Sequence, residues 1–134
     1  MLLKQLEQAS KGYQVPLNRL LDSLPYNDDG LIAGIAQDAK TKDVLMLAWL
    51  NREAIEITLK EGQVCYFSRS RARLWRKGEE SGHVQQLVEM RFDCDGDALL
   101  LLVNQTGPAC HTNRSNCFYL RVDGNQVVIE GNPG

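Results

Sequence analysis

Leu17, Leu20, Leu21 and Leu24 recur at the i, i+3, i+4, i+7 spacing of one helical face, behind Pro16, which suits a first helical turn. Pro25 should end that helix, because the residue before a proline is pushed out of the α region. The apolar run LIAGIAQD (31–38) then reads as a buried strand, DAKTKD as a turn, and VLMLAWL (44–50) as a second strand. Asn51 is a natural N-cap for a helix through Lys60, closed by Gly62. Beyond it the pattern is mainly strand: VCYFSRS (64–70), then VQQLVEMRF (84–92) and ALLLLVNQ (98–105) as two hairpin arms around D-C-D-G-D. FYLRV (118–122) and QVVIE (126–130) flank D-G-N as a second hairpin. Few helices, several hairpins and no regular βαβ alternation predict a compact, β-rich α+β domain and exclude a doubly wound parallel sheet.

The 134 residues suffice for one domain with a real core, and 43% hydrophobic with 24% charged residues is ordinary for a globular chain. A helical extension is expected over residues 1–25 and the domain proper over 26–134. A net charge of −2 gives no global attraction to nucleic acid or to an anionic membrane. No window approaches the roughly 20 apolar residues of a membrane span. The opening MLLKQLEQASKGYQ lacks the apolar core and cleavage pattern of a secretory leader, so the cytoplasm is the expected compartment. In that reducing setting Cys65, Cys94, Cys110 and Cys117 are expected as thiols or metal ligands rather than disulfides.

Chemistry concentrates in the second half. Cys110, His111 and Cys117 share the polar loop G-P-A-C-H-T-N-R-S-N-C-F, and thiolates with imidazoles suit zinc. Small buried thiols would read the same way. Asp93, Asp95 and Asp97 alternate around Cys94 and Gly96; as a turn they need no further explanation. As a carboxylate cluster they need a hard cation such as Mg2+. An EF-hand is excluded, because its sixth and twelfth positions fall on Ala98 and Asn104. If the segment is extended, the three aspartates face one way and Cys94 the other. Arg69, Arg71, Arg73, Arg76 and Lys77 surround Trp75 in S-R-S-R-A-R-L-W-R-K-G, either a solvated strand edge or a phosphate-binding patch. Only two histidines exist, His83 and His111. Cys65, in an apolar strand, is expected as a buried thiol without a metal role.

Taken together, Y-F-S-R-S-R-A-R-L-W-R-K-G-E-E-S-G-H-V-Q, D-C-D-G-D and Q-T-G-P-A-C-H-T, with C-F seven residues beyond Cys110, closely resemble the phosphoribosyl-AMP cyclohydrolases, adenine-ring-opening enzymes of histidine biosynthesis. G-L-I-A-G-I-A-Q-D and V-L-M-L-A-W-L-N-R-E-A are similar to that family's N-terminal half, so the likeness runs from about Asp29 to Leu120. Two departures stand out: Asn113 follows C-H-T where the family usually has glycine, and Ala33-Gly34 replaces a frequent Pro-Ala. Asparagine tolerates the left-handed backbone that glycine would supply. Residues before about Pro25 show no clear counterpart.

The resemblance implies zinc on Cys94, Cys110 and Cys117, Mg2+ on Asp93, Asp95 and Asp97, and an intertwined homodimer whose zinc site draws on both chains. The implied substrate is phosphoribosyl-AMP, hydrolysed at its N1–C6 bond by water activated on zinc. His111, beside a ligand, is the first candidate general base and His83 the second. Arg69, Arg71 and Lys77 are expected to neutralise phosphate, and Trp75 to stack on the purine. Two rivals remain: a zinc-stabilised nucleic-acid module, which leaves the aspartates idle, and a structural domain with unligated thiols.

Overall fold

The computed structural model describes residues 2–134; Met1, the first residue of the expected extension, lies outside them. Three helices and eight strands follow in the order α1 (Leu2–Leu6), α2 (Leu17–Ser23), β1 (Ile32–Asp38), β2 (Val44–Leu50), α3 (Arg52–Glu61), β3 (Cys65–Ser68), β4 (Arg73–Arg76), β5 (Gln85–Phe92), β6 (Ala98–Gln105), β7 (Leu120–Asp123) and β8 (Gln126–Ile129). This is a compact α+β domain. Its main sheet has the order β2-β1-β6-β5, with β1 parallel to β6 and the other pairs antiparallel. β3–β4 and β7–β8 form separate two-stranded ribbons.

The register sorts the main sheet into two faces. Ile32, Ala36, Leu50, Leu99, Leu101 and Val103 point to one side and are buried with Leu21, Leu24, Ile55, Val64 and Tyr66. Leu21 and Leu24 are only 2% and 6% exposed, so the N-terminal segment is packed into the same core as the strands. The opposite face carries Ile35, Leu47, Leu100 and Leu102, none of them buried, and Leu47 is 46% exposed. The β7–β8 ribbon is open along its whole length: all eight residues are exposed, Leu120, Val122, Val127 and Ile129 among them.

Local chemistry explains the elements that carry the site. Asn51 Oδ1 accepts from the Ala54 N–H at 2.8 Å, satisfying an orphan donor at the start of α3. Gly62, at φ 77°, closes the helix by donating to the Thr58 carbonyl at 2.9 Å. Buried Thr58 also accepts from the Cys65 N–H at 2.9 Å, which fixes where β3 starts relative to the helix. β4 was not expected as a separate strand. Its charged alternation resembles solvated chain, yet Tyr66 faces Trp75 in the register and their ring centroids lie 5.3 Å apart.

Asn51→Ala is expected to cost about 1 kcal/mol of stability, the usual value of a lost N-cap. A lower urea midpoint with unchanged slope would show it.

Candidate active site

Two backbone bridges fold the loop after β6 onto itself: Ala109 N–H to Ser115 O at 3.3 Å and Cys110 N–H to Arg114 O at 3.2 Å. Asn113 sits in that loop at φ 67°, the left-handed conformation for which the sequence made asparagine acceptable. The Cys117 N–H donates to the Leu45 carbonyl at 2.8 Å, anchoring the far end of the loop to β2. Cys110 and Cys117 thereby come within hydrogen-bond reach of one another.

The two thiols differ in environment. Burial acts to raise the Cys110 pKa, and Thr112 opposes it, donating from Oγ1 at 3.0 Å and from its backbone. With Cys117 and Arg114 adding to that effect, Cys110 lies below the ordinary thiol range. Cys117 is pushed up to about 11, by burial first and by its neighbour Cys110 second. One thiol is therefore primed to ionise, and the other awaits a positive partner.

Cys110 and His111 border a cleft of ≈ 580 Å³, with His83, Trp75, Lys77 and Arg71 on its other walls. His83 enters through a tight crossing. A Cβ on Gly107 would lie 2.7 Å from His83 Cδ2, so the imidazole packs directly on bare backbone. Below it, buried Gln85 and half-buried Gln105 form a chain: Tyr66 Oη donates to Gln85 Oε1 at 2.7 Å, and Gln85 Nε2 to Gln105 Oε1 at 2.9 Å. Gln105 Nε2 in turn donates to the His83 carbonyl at 3.2 Å. Sequence reading missed Thr112, Gln85 and Gln105; C-H-T held the only signal for the first, and the amides act at a distance no spacing reveals. It also missed Glu79 and Glu80, which stand on the cleft wall.

Of the cations expected to neutralise phosphate, Arg71 and Lys77 line the cleft and Arg69 does not. Arg69 lies over Trp49, 5.0 Å from the ring centroid, and is not among the cleft-lining residues. Arg76 is held by both carboxylate oxygens of Glu61, at 2.9 and 2.8 Å. Lys77 Nζ donates to the Ala109 carbonyl at 2.6 Å.

Cys94 stands elsewhere, exposed, beside Leu3, Leu6, Leu20 and Asp93. The eight residues of β6 separate it from the Cys110 loop, a span of roughly 25 Å at strand rise. Among the described residues, no three His, Cys, Asp or Glu side chains of one chain gather as a metal site. Of the two geometries the sequence left open for D-C-D-G-D, an extended segment or a hairpin turn, the structure adopts the turn. Gly96 donates to the Asp93 carbonyl at 3.0 Å and adopts φ 71°, so the segment is a tight turn and strict alternation is lost. A Cβ on Gly96 would lie 2.7 Å from Leu3 Cδ1 and 3.0 Å from Leu24 Cδ2, so the turn is seated on the N-terminal segment.

The turn still crowds its carboxylates. A hydrogen bond between the Asp97 and Asp93 carboxyls raises the Asp97 pKa, and the Asp93 and Asp95 charges add to it. A hard divalent cation fits oxygen donors so placed, and the soft Cys110–Cys117 pair fits zinc.

A cleft bordered by a thiol, two imidazoles and several cations, with a second thiol beside the first, fits a small α+β enzyme. The phosphoribosyl-AMP cyclohydrolase family pattern matches residues 46–119. A protein of Alcanivorax borkumensis named phosphoribosyl-AMP cyclohydrolase is 58% identical over 132 residues, covering 98% of this chain and 93% of that one. The protein of the same name from Halorhodospira halophila is 55% identical over the same length, with 98% and 93% covered. That from Acidiphilium cryptum is 68% identical over 97 residues, 72% of this chain and 84% of its own. The chain belongs to the phosphoribosyl-AMP cyclohydrolase family and is a hydrolase of histidine biosynthesis. The 132-residue alignments also give most of residues 1–25 counterparts, which the sequence reading had not found.

Because its folded pKa is raised, Asp97 favours the fold most at acidic pH, and that contribution is lost as pH rises through the raised value. Asp97→Asn should therefore raise the melting temperature of metal-free protein at neutral pH, with the gain vanishing in acid. Thermal scans at both pH values test this.

Proposed function

We propose that the cleft binds N1-(5-phosphoribosyl)-AMP and hydrolyses the N1–C6 bond of its adenine ring. The observation that carries this reading is Cys110 beside His111 on the wall of a cleft that also carries Arg71 and Lys77, with Cys117 within reach of Cys110 behind it. Opening the ring requires water at C6 and a proton at N1, and zinc supplies a Lewis acid for activating that water. Cys110 and Cys117 hold the zinc, with Cys94 of the partner subunit as third thiolate. Three thiolates leave the centre with excess negative charge, weaken its acidity and make a protein base valuable. His111 accepts the proton of the attacking water, and His83, across the cleft, handles the proton at N1. Arg71 faces a phosphate and Trp75 the purine. Asp93, Asp95 and Asp97 hold Mg2+ for a second phosphate.

The working unit is a homodimer. Two open apolar surfaces support this, the Leu47–Leu100 sheet face and the β7–β8 ribbon, together with the stranded position of Cys94. Contiguous apolar surface left open in this way marks an interaction site.

His111→Ala should lower turnover of phosphoribosyl-AMP by about 10²–10⁴-fold with zinc content unchanged, measured by ultraviolet absorbance and metal analysis. Near-normal turnover would remove His111 from the mechanism. The shared site has its own test. Cys94→Ser and Cys117→Ser proteins, each inactive alone, should on subunit exchange recover about a quarter of wild-type sites, because a two-fold heterodimer keeps one intact site of two. No recovery in exchanged samples would place the zinc within one chain.

A further inference from the structure

Lys77 does not occupy the cleft as a free phosphate ligand would. Its backbone N–H donates to the carbonyl of fully buried Val64 at 3.0 Å, so its stem leaves directly from the core. Its Nζ ends on the Ala109 carbonyl at 2.6 Å, one residue before Cys110. On the way the ammonium passes Trp75, 5.7 Å from the ring centroid. The side chain is about half buried, and the two thiols, Cys117 and Cys110, are the groups that counter the cost of burying its charge.

We propose that Lys77 is a positioning residue for the metal loop: it bolts the Ala109–Cys110 backbone in place and sets a positive charge against the thiolate pair. This deepens the zinc reading above and rests on it. The physical need is specific. A zinc centre with three thiolates is anionic, and the loop places two of them in a partly buried setting where uncompensated charge is costly. A fixed ammonium compensates that charge without taking a coordination position. Alternative cations are poorly placed to do the same: Arg76 is committed to Glu61, and Arg69 lies on Trp49. Arg114 also acts on Cys110, but its Nε is held by the Gly131 carbonyl at 3.0 Å.

Zinc affinity of the full-length protein, measured by competition with a chromophoric chelator, reads this role without relying on turnover. Lys77→Met should bind zinc about 10–100-fold more weakly than wild type, the usual cost of losing an outer-shell partner. Lys77→Arg, which keeps the charge, should recover most of that loss. Lys77→Gln keeps a donor for the Ala109 carbonyl but no charge, so it should remain weak; it also serves if the apolar variant misfolds. Unchanged zinc affinity in Lys77→Met and Lys77→Gln, with a raised KM, would make Lys77 a substrate phosphate contact and overturn the proposal. Equal losses in Lys77→Arg and Lys77→Met would overturn the charge role. Wild-type protein that takes up no zinc would overturn the metal reading itself, an outcome distinct from zinc binding that is indifferent to residue 77.

Discussion

Strand β6 is the constraint on which the rest of the structure depends. It pairs in parallel with β1 and antiparallel with β5, and sends Leu99, Leu101 and Val103 into the core. Those contacts fix it in place and extend it fully. A rigid strand of eight residues has two ends that cannot meet. At one end stands the Asp93–Asp97 turn with Cys94; from the other the chain leads through Gly107 to Cys110. The hydrophobic alternation that makes β6 central is thus also what holds Cys94 away from the other two thiols of its own chain.

Electrostatics gives both ends a similar unfinished character. In the turn, Asp97 and Asp93 share a hydrogen bond because two neighbouring carboxylates resist ionising together. In the loop, Cys110 is drawn toward ionisation by Thr112, while Cys117 is held back by burial and by Cys110. Each cluster is more comfortable once a positive charge is supplied. The cations of the basic stretch are divided among Glu61, Trp49, the Ala109 carbonyl and the cleft, so few are free to answer that need.

Wherever one element explains itself, the sequence was readable. The Asn51 cap, the Gly62 stop, the 84–92 and 98–105 arms and the left-handed Asn113 all follow from short-range chemistry that a string of residues carries. The Cys110–Cys117 loop was recognisable for the same reason. What could not be read needed contacts between distant segments. β4 is a strand because Trp75 finds Tyr66, not because its charged alternation favours one. Arg69 and Arg71 look equivalent in the sequence, yet only one lines the cleft, because a period-two argument says nothing about which face Trp49 will occupy. The turn at Gly96 was visible as a dipeptide preference, but its seat on Leu3 and Leu24 was not. Leu21 and Leu24 mark the limit well: their spacing predicted a helix, and nothing local revealed that this helix completes the main core.

Surface and site point to one requirement. An isolated chain leaves Val122, Val127 and Ile129 in solvent on a ribbon that buries none of its own residues. It also leaves Cys94 exposed at a tip that its own cleft cannot use. In the homodimer proposed above, a second copy would cover the first and employ the second, since it carries the complementary thiol pair. In the proposed dimer, a ligand donated across the interface couples metal binding to association: whatever zinc gains from a third thiolate also holds the subunits together. Affinity for the metal then depends on protein concentration, as it would not if one chain held the whole site. The Gly96 turn gains a purpose from this coupling. Packed against Leu3 and Leu24, it is held rigidly enough to present Cys94 outward at a fixed height above its own fold.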